Sequence, residues 1–386
     1  MISLSVPEFV GPRAQFDIPI RNTMASLGKV SAALSLQIQL DSHCPIIPGL
    51  PDDVAKRCLA LLPRSDFPLA AAVCKTWRSF IQSKEFLAIR KQGNKLEEWM
   101  FVLTSDAERS EGRWEVWGAS GQKLKVLPPM PGPVKTGFAV AVLESKFVVA
   151  GGYVTVVDGG SKNVSDDVYQ YDSRLNRWSS LAKMNVARYN FACTEANGLI
   201  YVVGGVGSNG ESLSSVEVYD PEKNIWSLIE SLRRPRWGCF ACSFDGMLYV
   251  MGGRSSFTIG NSRVVDIYSP EKKSWCEMKN GCVMVTAHAM LGEKLICIEW
   301  KNQRKLAIFD SVDKSWHSVS VPVSGSSAVG FCFGILNNKL LLFSMSKLPG
   351  YKTLFYDPDA PVGSQWQQTS LFKPSGFCLC SVTITT

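Results

Sequence analysis

Three glycine doublets, Gly151-Gly152, Gly204-Gly205 and Gly252-Gly253, stand at fixed distances from the same kinds of neighbour, and this recurrence constrains the fold more than any other feature. A basic residue (Lys135, Arg188 or Arg236) lies sixteen positions before the first glycine of each doublet. Two alternating segments joined by a tight turn fill the interval, as in Phe191-Ala192-Cys193, Asn197-Gly198 and Leu199-Ile200-Tyr201-Val202-Val203. Downstream, an aromatic precedes a tryptophan by seven positions: Tyr171 and Trp178, Tyr219 and Trp226, Tyr268 and Trp275, Phe309 and Trp316. Tyr356 and Trp366 keep the pattern with three extra residues. Elsewhere the doublet is replaced, by Glu299-Trp300, by Ser344-Met345 and, in the earliest unit, by Thr104-Ser105 followed by Trp117 and Leu124.

Units therefore start at 135, 188, 236, 283 and 328, at intervals of 53, 48, 47 and 45. Period-two alternation makes each unit a small sheet, which cannot bury both faces alone, so the units must stack. Gly-Gly supplies positive φ where strands pass close together, and the aromatic and tryptophan fill the space between adjacent units. The repeat resembles kelch blades over residues 97–386, which implies an all-β six-bladed kelch propeller. The first unit, at Glu98-Trp99-Met100-Phe101, lacks the strand that precedes the tight turn elsewhere. Gly376-Phe377-Cys378-Leu379-Cys380 resembles that missing strand, matching Gly137-Phe138-Ala139-Val140 and Gly330-Phe331-Cys332-Phe333. A C-terminal strand at about 374–384 is expected to complete the first blade and remove the exposed edges.

Residues 45–92 switch to helical spacing. After Pro48-Gly49-Leu50-Pro51, Asp52-Asp53-Val54 opens a helix with acids at the positive end of its dipole and Val54, Cys58, Leu61 and Leu62 on one side. Pro63 ends it. A second helix is expected from Ser65-Asp66, carrying Leu69, Val73, Trp77 and Phe80 along one face, and a third from Ser83. Three short helices cannot bury all their apolar sides against one another, so one surface is left for a partner.

The segment resembles an F-box through Leu50-Pro51-Asp52-Asp53-Val54, Leu59, Leu61-Leu62-Pro63, Leu69, Val73-Cys74-Lys75-Thr76-Trp77-Arg78 and Phe86. A small all-α F-box helical module followed by a kelch propeller resembles the plant F-box/kelch family, substrate receptors of Skp–cullin–F-box ubiquitin ligases. The resemblance implies that Leu50, Pro51, Val54, Leu59, Leu62 and Pro63 dock onto a Skp-type adaptor, and through it a cullin. The propeller would then bind the protein to be ubiquitinated, with no catalysis or cofactor of its own. Other readings are a helical cap without a partner, a kelch scaffold outside any ligase, and a galactose-oxidase-like enzyme.

The net charge of +7 would permit a nucleic-acid partner, so its location matters. Residues 1–96 hold 12 Lys and Arg against 7 Asp and Glu, and residues 97–386 are nearly neutral. Lys75, Arg78, Lys84, Arg90, Lys91 and Lys95 against Glu85 read as a solvated face or a surface steering an acidic adaptor. Without aromatic stacking platforms, nucleic acid is not expected. Residues 1–44 hold no period and read as a flexible arm. Pro7, Glu8, Pro12 and Arg13 interrupt any signal-peptide core, no apolar run reaches the ~18–20 residues a membrane span needs, and the 12 cysteines read as reduced thiols in cytoplasm or nucleus.

Substrate contacts are expected on the connections between blades, where Arg188, Tyr189, Arg236, Trp237 and Arg254 offer the residue types that dominate interface energies. The alternative for Arg188 and Arg236 is a structural ion pair with a neighbouring blade. Three other motifs read as structural. Gly205-Val206-Gly207-Ser208-Asn209-Gly210 fits a dinucleotide fingerprint but runs into a strand, not a helix. Cys239 and Cys242 lack a second pair at zinc-finger spacing. His43 lies outside the repeats, and His288 and His317 read as packing or surface, so no metal is expected. The excursion from Tyr153 to Asp166 reads as a recognition lid or a tolerated insertion.

Overall fold

The computed structural model describes residues 45–105, 112–124, 127–156, 160–257, 260, 262–279, 281, 285–299, 305–322, 331–344, 353–361 and 363–386. The N-terminal arm, His43, Trp300, Met345 and the unit starts at 283 and 328 lie outside them. The chain falls into two compact units, one ending at Ala55 and the other running Lys56–Thr386.

In the first unit, the Leu50 amide donates to Ile47 O (3.1 Å) and the Ile46 amide to Asp52 Oδ1 (3.0 Å), fixing the turn that launches helix α1, Asp52–Ala60. The second unit continues with a 3-10 turn, Arg64–Asp66, and helices α2 (Phe67–Val73), α3 (Lys75–Gln82) and α4 (Lys84–Gln92). The structure corrects the helix count. The expected second helix is two, because Cys74 is extended (φ −156°, ψ 168°) and its thiol caps α3, accepting from the Trp77 amide. Leu69 and Val73 therefore leave the face of Phe80: they are 74% and 64% exposed, whereas Phe80 is buried. Ser83 caps α4 through the Phe86 amide (3.1 Å), and Phe86 packs edge-on against Phe67 and Phe80.

Six antiparallel sheets follow, forming a six-bladed propeller. Blade 1 holds strands Glu98–Ser105, Gly112–Gly118 and Phe377–Thr385. The inner strands of blades 2 to 6 are Ala139–Leu143, Ala192–Ala196, Trp237–Phe244, Val285–Leu291 and Phe331–Leu336, each followed by three more strands outward. Phe377–Thr385 takes the inner place in blade 1, running antiparallel to Glu98–Ser105 from Ser105↔Phe377 to Glu98↔Thr385.

The seven-residue spacing is a cross-strand pair. Tyr171↔Trp178, Tyr219↔Trp226, Tyr268↔Trp275 and Phe309↔Trp316 face one another across the two outer strands, with ring centroids 5.0–5.2 Å apart. Each of three indoles then reaches back to the preceding connection: Trp178 Nε1 donates to Pro128 O, Trp226 Nε1 to Ala182 O and Trp275 Nε1 to Glu230 O, at 2.8–2.9 Å. The pair is at once an intrablade clasp and an interblade staple. The doublets are needed for a different reason. Gly151 and Gly152 adopt φ +63° and +92°, and a Cβ on Gly151 would come within 2.6 Å of Arg188 O in the next blade.

Two buried arginines fix the helices to the ring-closing strand. Arg90 Nη1 donates to Ala60 O and Leu62 O, both at 2.7 Å, while its Nη2 reaches Glu97 Oε1 (3.2 Å) and the backbone oxygens of Lys95 and Thr386. Arg64 Nη1 donates to Ile384 O (3.1 Å), and its guanidinium lies 4.3 Å from the Trp99 ring. Burial pulls the Arg64 pKa down to about 9, so the cation is retained at neutral pH. Arg90 thus does not belong to the solvated basic face expected for residues 75–95.

Deleting 377–386 opens blade 1 and exposes the inner edge of Glu98–Ser105. The truncated chain is expected to aggregate on expression; a soluble, cooperatively unfolding monomer in light scattering and thermal melts would contradict closure by this strand.

Candidate functional site

The basic residues sixteen positions before the doublets are latches within their own blades. Arg188 donates to Gly204 O (2.8 Å) and Ser215 O (3.0 Å), and pairs with Glu217 Oε1 at 2.7 Å with both side chains fully buried. Arg236 pairs with Asp266 Oδ2 at 2.5 Å and donates to Val264 O (3.2 Å). Lys135 bonds Asp167 Oδ2 at 2.7 Å. Burial lowers the Arg188 pKa against the opposing pull of Glu217, and burial raises that of Asp266 against the pull of Arg236. The hairpin of the first two strands returns the chain to its start, which brings the doublet beside the cation and explains the spacing. Arg188 and Arg236 are therefore corrected from substrate contacts to internal struts, pairing within their own blades and not with a neighbour.

Tyr189 is also largely buried. It packs edge-on against Tyr153 (4.7 Å), and Lys162 Nζ donates to its hydroxyl at 3.1 Å while standing 4.6 Å from both rings. That bond raises the Lys162 pKa. The excursion after the Gly151-Gly152 doublet of blade 2 is accordingly a hairpin, Tyr153–Thr155 with Lys162–Val164; its tip, 157–159, lies outside the described residues. Trp237 and Arg254 remain at the surface. They are cross-strand partners in blade 4, Trp237 half-buried and Arg254 exposed. Nearby, the Ser212 and Ser256 hydroxyls bond each other at 2.7 Å, bracing the loops of blades 3 and 4.

Arg188, Tyr189, Arg236 and Trp237 stand at the end of blades 3 and 4 where the inner strands begin, the mouth of the propeller, and an axial cavity of about 350 Å³ is lined by other residues, at or near the inner strands. Phe138, Phe191, Phe240, Phe331, Phe333 and His288 contribute to its wall. His288 is the residue that reading by type missed. Its imidazole is open to the cavity yet enclosed by protein, stacks on Phe240 at 5.0 Å, and is held neutral by burial, which lowers its pKa to about 4. Alignment of the units carries the missing signal: His288 lies five residues after its unit start, as Val140, Cys193 and Phe333 do in theirs, and all four line the cavity.

The helices join the opposite end of blade 2. Gln82 Nε2 donates to Asp172 Oδ2 (3.3 Å), Arg174 Nη1 to Ser83 O (3.4 Å), and Lys84 lies 3.6 Å from Glu144, all at turns where the strands leaving the mouth reverse. Among the residues proposed for adaptor docking, Leu59 is buried and is corrected to core, since it faces inward from α1; Leu62 is half-buried and Pro63 exposed. Leu61, Leu69 and Val73 add exposed apolar surface to this unit, and in the first unit Leu50, Pro51 and Val54 are exposed.

The remaining motifs are structural. Val206 bridges Tyr189 and Ser212, so the glycine-rich run closes a blade loop and leads to strand Val216–Asp220. Cys239 and Cys242 are buried, and burial pushes the Cys239 thiol up to about 11. No group of three metal-ligating side chains occurs among the described residues, and no helix there is long and apolar enough to cross a membrane.

An F-box-type helical segment leading into a ring of kelch blades defines the class of protein. Residues 136–344 match the KLHDC2/KLHL20/DRC7 Kelch-repeats domain and residues 47–88 the F-box domain. The chain is 59% identical over 341 residues to the F-box/kelch-repeat protein At1g67480 of Arabidopsis thaliana, covering 88% of this chain and 90% of that one. It is 42% identical over 352 residues to the putative F-box/kelch-repeat protein At1g27420 of the same plant, covering 89% and 98%. The solved structure of YjhT shares the fold alone, with a TM-score of 0.50 and 17% identity over 63% of this chain and 85% of that one. The chain belongs to the F-box/kelch-repeat family.

Breaking a buried ion pair from one side leaves an uncompensated charge, at a cost of ~3–5 kcal/mol. Arg188→Ala is expected to lose that much in urea unfolding followed by tryptophan fluorescence, and Trp237→Ala less than ~1 kcal/mol. Equal losses for the two would contradict the assignment of Arg188 as strut and Trp237 as surface.

Proposed function

We propose that the chain is the substrate-recognition subunit of a Skp–cullin–F-box ubiquitin ligase, working in cytoplasm or nucleus. The observation that carries this reading is the separation of two surfaces on the second unit. Helices α2 to α4 join the propeller at the turn end of blade 2, and Trp237 and Arg254 stand at the mouth end of blade 4. An adaptor held at one end leaves the other open to a second protein. The F-box match, the exposed Leu50, Pro51, Val54 and Pro63, and the half-buried Leu62 support docking of a Skp-type adaptor and, through it, a cullin.

The chain itself performs no covalent step in this reading. It raises the effective concentration of a bound protein near a ubiquitin-loaded enzyme. At the mouth, an aromatic and a guanidinium on adjacent strands suit an acidic or carboxylate-bearing segment of the substrate, the indole supplying rigid contact area and Arg254 the charge. Arg188 and Arg236 serve this site only by holding the connections in place.

Affinity capture with the full chain tests the proposal, with the proteasome and cullin activation both blocked so that bound substrate accumulates. A protein enriched on the wild-type chain is expected to fall at least about tenfold with Trp237→Ala and Arg254→Ala combined, the loss of two interface anchors. Unchanged enrichment on that variant would overturn the mouth as the substrate face.

A further inference from the structure

The axial cavity has a chemical character that protein recognition at the mouth does not account for. Phe240, His288, Phe331 and Phe333 from three inner strands, with Phe138 and Phe191 just before two others, contribute to the lining of about 350 Å³, and no lysine, arginine, aspartate or glutamate is among its described lining residues. Of the polar groups in the wall, the Ser381 hydroxyl donates to Phe333 O and the Thr286 hydroxyl to Ile298 O (3.4 Å). The His288 imidazole makes no hydrogen bond among the described residues and is open to the cavity. A neutral imidazole carries one donor and one acceptor nitrogen. Among the described residues the wall thus mixes apolar side chains with polar atoms in about equal measure, carries no charged side chain and offers the His288 imidazole as a side chain without a hydrogen bond, a composition that suits a small neutral molecule.

Volume sets the ligand's size. A dry cavity of about 150 Å³ takes one benzene ring, so about twice that space takes two fused rings. Charge sets its state, because burying an ion without a counter-ion is prohibitive here. We propose that the axial channel binds an uncharged two-ring aromatic compound bearing a hydroxyl, the rings seated among Phe138, Phe191, Phe240 and Phe333 and the hydroxyl bonded to His288. Cys193 lies in the same wall with its thiol held protonated, burial raising its pKa to about 12, so the contact it offers is neutral. The site does not depend on adaptor or substrate binding, so it stands or falls separately from the receptor reading.

The full chain is titrated with 2-naphthol, followed through the probe's own fluorescence. Saturable binding is expected, at least about tenfold tighter than for 2-naphthalenesulfonate, whose charge finds no partner in the wall. His288→Leu is expected to bind naphthalene as the wild type does while losing about tenfold for 2-naphthol, the loss of one hydrogen bond. Cys193→Trp, which carries a ring into the cavity, is expected to bind neither. Absence of saturable 2-naphthol binding, equal binding of the sulfonate, or full binding by a Cys193→Trp chain that melts at the wild-type temperature would each overturn the proposal. Should Cys193→Trp fail to fold, His288→Leu decides: an unchanged ratio of 2-naphthol to naphthalene affinity overturns it.

Discussion

A ring of sheets loses its free edges only when its two chain ends meet in one blade, and here Phe377–Thr385 meets Glu98–Ser105 along its whole length. The same pairing reaches the helices. Glu97 exchanges backbone bonds with Thr386 at 2.7 and 3.0 Å, and its carboxylate accepts from Arg90 and from the Arg64 amide. Arg64 and Arg90 then spread their buried charge over backbone carbonyls on both sides of the junction. Ring closure and helix placement are therefore one interaction, and loosening the last strand frees both.

Within the ring, each kelch signature residue has a separate mechanical part. The cation ties the start of its blade to the third strand, the doublet admits the backbone of the next blade, and the tryptophan reaches back to the previous one. Blades 2 to 4 keep the full set. Blades 5 and 6 lack the doublet yet retain the aromatic pairs Phe309 with Trp316 and Tyr356 with Trp366, so the clasp across the two outer strands persists where the glycine doublet does not.

Much of this is legible in the sequence because spacing is geometry. Seven residues between aromatic and tryptophan make a cross-strand pair, sixteen between cation and glycine span one hairpin, and both are visible without coordinates. The helical segment reads less well. Leu69, Val73, Trp77 and Phe80 keep helical period straight across Cys74, and only the thiol's role as a cap reveals the break. Burial is the hardest to read: Arg188 and Arg236 are interface-type residues, but their partners Glu217 and Asp266 lie some thirty positions away. His288 fails for the converse reason, since a strand position says nothing of whether a side chain meets a neighbouring blade or the axis until the units are aligned.

The proposed receptor role requires the helices to engage an adaptor while the mouth stays open. The most direct measurement is co-purification of the full chain with a Skp-type adaptor, comparing the wild type with Leu50→Ala combined with Pro51→Ala. A stable complex with the wild type, lost in the double variant while its melting temperature is kept, is the predicted result. No complex with the wild type, or undiminished binding by the variant, would contradict the account.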